Sequence, residues 1–372
     1  MRMPRGLACW RSAARARAAA LALALACTAG WAQAPLEAPE AEAQAASPAL
    51  RLRVLGGLAG VGQYLEHEEP FWAQELARLS GGRYRGEITP FDRAGLQSTE
   101  MLRLVQLGVV PFGTLLLSGM AVQYPQFSAI DLPGLNADLA SLRANLKAFR
   151  PYLETALRTQ HGVQVLAVYA YPAQMLFCTR RIEGLASLAG RRIRVASAGQ
   201  ADFVEALGAQ PVPTGFAQIV HSIETSDTEC AITGSMSGYS LGLYRQTQYL
   251  YPLPINWGLA VFAVHQGAWR ALPPDLRTLL ERELPRLEAR IWDAAERDTA
   301  LGIACNSGAP ACTRTPKGRM TLVAVSAQDE QHRREIFQRV VLPRWLQRCS
   351  VDCAGVWSHT LGPAMGMPAA RP

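Results

Sequence analysis

The sequence predicts an α/β protein of two lobes joined by a hinge, with a ligand cleft between the lobes. Three observations carry that expectation. Strand-like and helix-like segments alternate at short spacing from Leu52 to Thr233, as in domains with largely parallel sheets. A further apolar strand, Leu259 to Val264, reads as a return to the first domain. A long helical pattern then begins at Pro274, placing Leu276, Leu280, Leu284, Leu287 and Ile291 at steps of four and three. A chain that builds one lobe, crosses to a second and crosses back has its default ligand site between them.

The elements follow in order. LRVLGG, from Leu52, is a short strand running into a glycine-rich loop that ends near Tyr64. Pro70 opens a helix with Trp72, Leu76 and Leu79 on one face, and Gly81-Gly82 stops it. Tyr84 to Pro90 is a strand, Ser98 to Leu107 a helix, and VVPFGTLLLSG a buried run; Asp138 to Gln160 is a helix. Val163 to Ala170, Gln174 to Cys178, Arg192 to Ala196 and Glu229 to Thr233 read as strands. Between them lie a helical turn at Leu185 to Gly190 and helices at Ala201 to Leu207 and Gln218 to Thr225. Pro285 should kink the long helix. The expected lobes are 51–171 plus 259–285 and 172–258 plus 305–372, with the bridging helix at 274–304.

Ahead of the lobes, residues 1–34 have the anatomy of a secretory signal peptide: five arginines, no acid, and an apolar run from Ala18 to Cys27 too short to span a bilayer. Ala24-Leu25-Ala26 before Cys27 is a poor lipidation signal, because Ala24 stands where a larger aliphatic is expected. Residues 35–50, rich in Pro, Ala and Glu, form a flexible linker. Of 37 basic residues, 32 lie beyond the leader against 30 acids. The formal charge of +7 therefore reports export rather than a nucleic-acid partner.

Six cysteines remain beyond the leader: Cys178, Cys230, Cys305, Cys312, Cys349 and Cys353. They are disulfide candidates in an oxidising compartment, with connectivity open by counting alone. Cys178 and Cys230 sit in strand-like segments that could be neighbours, and the other four form two close pairs of the wrong spacing for zinc. No metal or cofactor site is expected. Gly57, Gly60 and Gly62 reverse the order of the dinucleotide fingerprint, and no helix is expected immediately after them. A loop allowing close approach of a backbone or ligand is the better use of these glycines. GSMSG at Gly234 to Gly238 has Met236 where a hydrolase elbow needs serine. His67-Glu68-Glu69 reads as a solvated helix start with acids near its positive end. No nucleophile, base and orienting group assemble, so no catalytic residue is expected.

The stretch from Leu185 to Thr233 is more specific. LAGRRIR at Leu188, EALGAQPVP at Glu205 and FAQIVHSIETSDTE at Phe216 resemble the signature of the solute-binding receptors of TRAP (tripartite ATP-independent periplasmic) transporters. LPPDLRTLL, from Leu272 to Leu280, extends the resemblance into the long helix, and the similarity weakens toward the C-terminus. It implies a two-lobe periplasmic-binding-protein-like fold. The family arginine that grips a ligand carboxylate matches Arg194, whose planar fork suits two parallel charge-assisted bonds. Phe216 matches an aromatic cleft wall. A strand-end amide position matches Thr233, followed by Gly234 and Ser235, so a hydroxyl and backbone N–H groups would replace the amide. A second arginine of some members falls at Gln174, which tilts the expectation toward a single strongly anchored carboxylate. The same matching puts Gln63, Tyr64, Ser98, Thr99, Thr114 and Ser118 on cleft-facing loops of the first lobe.

The expected function is capture of a small organic acid between the lobes in the periplasm and delivery to integral membrane permease subunits driven by an ion gradient. Two rivals share the frame: a sensory receptor, and an exported enzyme using Glu229 as base.

Overall fold

The computed structural model describes residues 49–367, so the leader, Cys27 and linker residues 35–48 lie outside the described residues. Two sheets organise the chain. The first has the order β2-β1-β3-β10-β4, built from β1 (Leu50–Gly56), β2 (Tyr84–Pro90), β3 (Phe112–Leu116), β4 (Val163–Ala170) and the returning β10 (Leu259–His265). β1 pairs parallel with β2 and β3, whereas β10 runs antiparallel to both β3 and β4. The second sheet has the order β11-β9-β5-β8-β6-β7, from β5 (Gln174–Cys178), β6 (Arg192–Val195), β7 (Gln210–Pro213), β8 (Cys230–Gly234), β9 (Tyr249–Asn256) and β11 (Thr321–Leu322).

β1 begins at the last residue assigned to the linker. The first helix, α1, also departs from expectation. It runs over 62–79 without a break, with π-helical turns at Gln63–Glu68 and Phe71–Glu75, so helix follows the glycine loop directly. Its Trp72 is fully buried and meets Phe112 and Phe262 at ring centroid distances of 5.9 and 5.2 Å. This places α1 on one face of the first sheet. The other face is covered by α2 (Met101–Gln106), α3 (Leu117–Met120) and α4 (Leu139–His161). Around the second sheet lie α5 (Ala198–Ala206), α6 (Ile219–Glu224) and α7 (Ser235–Ser240). α8 (Gln266–Ala271) then leads into α9 (Pro274–Ser307).

Helix α9 has 34 residues, hence a length of about 51 Å at 1.5 Å per residue. It continues through Pro285, where only one backbone bond is forfeited, and ends three residues later than expected. Its apolar stripe Leu276, Leu280, Leu284, Leu287 and Ile291 closes the core of the first lobe. Farther along, Trp292 Nε1 donates to Val168 O on β4 at 2.8 Å, and Asn306 Nδ2 donates to Ser235 O on α7 at 2.9 Å. One continuous helix is thus bonded to both lobes. After α9, α10 (Ala327–Ile336) and α11 (Leu342–Arg348) pack toward α5. There Arg344 pairs with Asp202 at 3.3 Å and with Glu205 at 2.6 Å. The C-terminal segment was expected wholly in the second lobe. Its helices α12 (Ser350–His359) and α13 (Leu361–Ala364) instead pack on the 3-10 turn Pro125–Asp131 and on α4.

The chain changes sheets at 171–173 and at 257–258, and Tyr171 N donates to Gly258 O at 3.0 Å to join the two crossings. Asp131 anchors the second. Its carboxyl accepts from Trp257 N, Gly258 N and Asn256 Nδ2 at 2.8 to 2.9 Å, while burial pushes it up to about 6 against those bonds. Disulfides join Cys178 to Cys230 directly across β5 and β8, Cys305 to Cys312 at the end of α9, and Cys349 to Cys353 at the start of α12. The first closes a 52-residue separation, for which chain entropy predicts about 4 kcal/mol of stabilisation.

Candidate ligand site

A cavity of about 590 Å³ lies between the sheets at the carboxyl ends of β1, β2 and β3 on one side and of β6, β7 and β8 on the other. Strand ends in α/β sheets are where loops leave a crevice for ligands. The first wall consists of Leu58 and Val61 after β1, Phe91, Asp92 and 95–99 after β2, and Leu116 and Ser118. The second carries Gln174, Arg194, Thr214, Phe216, Thr233, Gly234 and Ser237, with Tyr171 and Gly258 from the crossings between.

Arg194 is 4% exposed. β6 alternates its side chains so that Ile193 and Val195 enter the core, and Arg194 leans across the neighbouring strand ends. Its Nε donates to Thr214 O at 2.9 Å and its Nη1 to Ile232 O at 2.8 Å. Those bonds fix the guanidinium plane and leave three of its five N–H groups for another acceptor. Among the described residues no carboxylate pairs with it. Burial without a counter-charge lowers it to about 10, so it stays cationic at neutral pH.

Gln174 is oriented by a chain of amides. Asn256 Nδ2 donates to Asp131, Gln200 Nε2 donates both to Asn256 Oδ1 (2.9 Å) and to Gln174 Oε1 (2.8 Å), and Gln200 Oε1 accepts from Ala196 N. With its oxygen occupied, Gln174 offers N–H donors beside Arg194. Phe216, which follows β7 of the second sheet, packs against the apolar cluster that α1 and α9 form on the first sheet.

The expected site residues divide. Arg194, Gln174, Phe216, Thr233, Gly234, Ser98, Thr99 and Ser118 line this one cavity. Tyr64, Gln63, Thr114 and Ser235 do not. Tyr64 is buried against Gly56 and Ile88, and Gln63 and Thr114 both donate to Glu68. Ser235 Oγ donates to the carbonyls of Asp298 and Thr299, fastening α7 to α9. Glu68 itself is fully buried rather than solvated, because the helix starts at 62 and turns residue 68 inward. Sequence reasoning passed over Asp92, which its place just after β2 could have nominated. It also passed over Ser237, which lies within the dismissed GSMSG run. The described residues hold no cluster of three metal-ligating side chains and no helix long and apolar enough to cross a membrane.

Residues 61–342 match the pattern of the bacterial extracellular solute-binding protein family 7. The chain belongs to that family. This family 7 receptor shares its fold with solved solute receptors at low sequence identity. DctP7 of Bordetella pertussis, an extracytoplasmic solute receptor binding pyroglutamic acid, is 20% identical with a TM-score of 0.73, over 84% of this chain and 99% of that one. DctP6 of the same organism, binding the same acid, is 21% identical with a TM-score of 0.74, over 83% and 99%. A TRAP periplasmic solute-binding protein of Rhodoferax ferrireducens with bound malonate is 17% identical with a TM-score of 0.73, over 85% and 98%. No curated protein matches the family 7 receptor in sequence.

Proposed function

We propose that this family 7 protein is a periplasmic TRAP receptor that captures a small organic carboxylate by closure of its lobes. It delivers that ligand to an ion-gradient-driven membrane permease. The observation that carries the reading is Arg194, a buried cation without a carboxylate partner among the described residues, held by two backbone carbonyls at the cavity wall. A buried charge left unpaired costs several kcal/mol, and a ligand carboxylate offsets that cost with parallel charge-assisted bonds. The fold relatives that hold pyroglutamic acid and malonate support the same ligand class. The basic, acid-free residues 1–34 support export.

A ligand touching both walls binds the closed arrangement better than the open one and so shifts the population toward it. Native mass spectrometry of the protein isolated from a periplasm tests the reading. An adduct with the mass of a small organic acid, absent from Arg194→Ala, is expected. An adduct that persists in Arg194→Ala, or one without a carboxylate, contradicts it.

A further inference from the structure

Among the described residues two charged side chains line the cavity, and they stand on opposite walls: Arg194 from β6 of the second sheet, and Asp92 from the loop after β2 of the first. Asp92 Oδ1 accepts from Ala59 N at 3.0 Å, which pins its carboxylate to the loop after β1. Among the described residues no side chain donates to its Oδ2 and no cation pairs with it. An aspartate offers only acceptors when ionised, so this wall presents an unfilled one. The facing wall is the reverse, with the remaining N–H groups of Arg194 and the oriented amide of Gln174. The rest of the lining mixes apolar side chains such as Leu58, Leu96 and Phe216 with the hydroxyls of Ser98, Thr99, Ser118, Thr233 and Ser237. The charge of the lining is therefore polarised, a cation on one wall and an anion on the other, with the hydroxyls of both walls neutral.

We infer that Asp92 is the second recognition group of the site and selects carboxylates bearing an N–H or O–H donor at the end away from the carboxylate. The inference rests on the carboxylate reading of Arg194 and narrows its ligand class. A donor at that end fills Asp92 Oδ2. A donorless acid desolvates the aspartate without satisfying it, and sites built to bond a donor reject the analogue lacking it far more strongly than they reject a change of size. A dicarboxylate would bring like charge against Asp92, so it too is disfavoured.

Calorimetry with matched probes tests this: 3-hydroxybutyrate against butyrate, pyroglutamate against its N-methyl derivative, and succinate. Asp92→Asn keeps an oxygen for Ala59 N while turning the outward acceptor into a donor. The wild type should favour the donor-bearing member of a pair by about tenfold or more, and in Asp92→Asn that ratio should fall to about one, with succinate gaining relative to both. Should Asp92→Asn bind neither member, Asp92→Ala, which removes the acceptor altogether, provides the same ratio, again expected to be about one. An unchanged ratio in the variant overturns the role of Asp92 and leaves the carboxylate reading standing. If the wild type binds no carboxylate of the panel, the reading of Arg194 falls, and this inference with it.

Discussion

The Glu68 carboxyl takes three donors, from Gly57 N at 2.8 Å, Gln63 Nε2 at 2.7 Å and Thr114 Oγ1 at 3.0 Å, and none of them carries charge. Burial dominates these bonds and pushes the group up to about 7. The folded state thus holds the proton more tightly than the unfolded chain does. The associated stability is full below about pH 4.5 and is lost as pH rises through about 7, a change on the order of 3 kcal/mol. Glu68→Gln removes that titration, and Gln63, whose Oε1 has no partner, can turn its amide to suit. The melting temperature of Glu68→Gln relative to wild type should therefore rise between pH 5 and pH 8. A difference flat across that range contradicts the assignment. Glu68 also shows where sequence reading stops. Gly57 leaves room for its carboxylate, since a Cβ there would lie 3.1 Å from Oε1. That approach depends on the register of a helix whose start no residue pattern marks. Arg194 was legible because its strand and the following PVP segment carry a local motif, whereas Asp92 belongs to a loop without one.

Among the elements, α9 determines how the two lobes are braced. Its Gly302 faces α7 so closely that a Cβ would lie 2.4 Å from Met236 N and 2.5 Å from the Ser235 carbonyl carbon. Backbone cannot yield there as a side-chain tip can. Gly302→Ala should destabilise the fold by about 2 kcal/mol, read as a lower midpoint in urea. An unchanged or higher midpoint would show that this contact yields freely. The apolar stripe of α9 was legible because a 3.6-residue period survives a single proline. β7 and β9 were not, because each contains two prolines: Pro211 and Pro213, and Pro252 and Pro254. β7 escapes the usual penalty as an edge strand. In β9 both prolines fall where the register against β5 shifts, between Leu176 opposite Tyr251 and Gln174 opposite Asn256. Neither position needs the missing N–H, and a pattern search does not see that.

Over the whole molecule, the two crossings are bonded to each other, Asp131 fastens one of them, and the amides leading from it end on Gln174 in the cavity. The hinge and the ligand wall therefore share one hydrogen-bond network. The two-lobe plan was legible because the chain leaves and re-enters the first sheet at segments of clear β character, Gln174 to Cys178 and Leu259 to Val264. The packing of the C-terminal helices was not, since α12 and α13 meet α4 and the turn at Pro125–Asp131 across more than 180 residues of sequence, and no local pattern encodes such a contact. The central claim is that this molecule closes on a carboxylate held by Arg194. Calorimetric titration of wild type and Arg194→Ala with a panel of small monocarboxylates tests it most directly, with a melting curve for each protein. The account predicts that the wild type binds at least one acid and that Arg194→Ala loses about 100-fold or more of that affinity while still unfolding cooperatively. Equal affinity in the two folded proteins would contradict it.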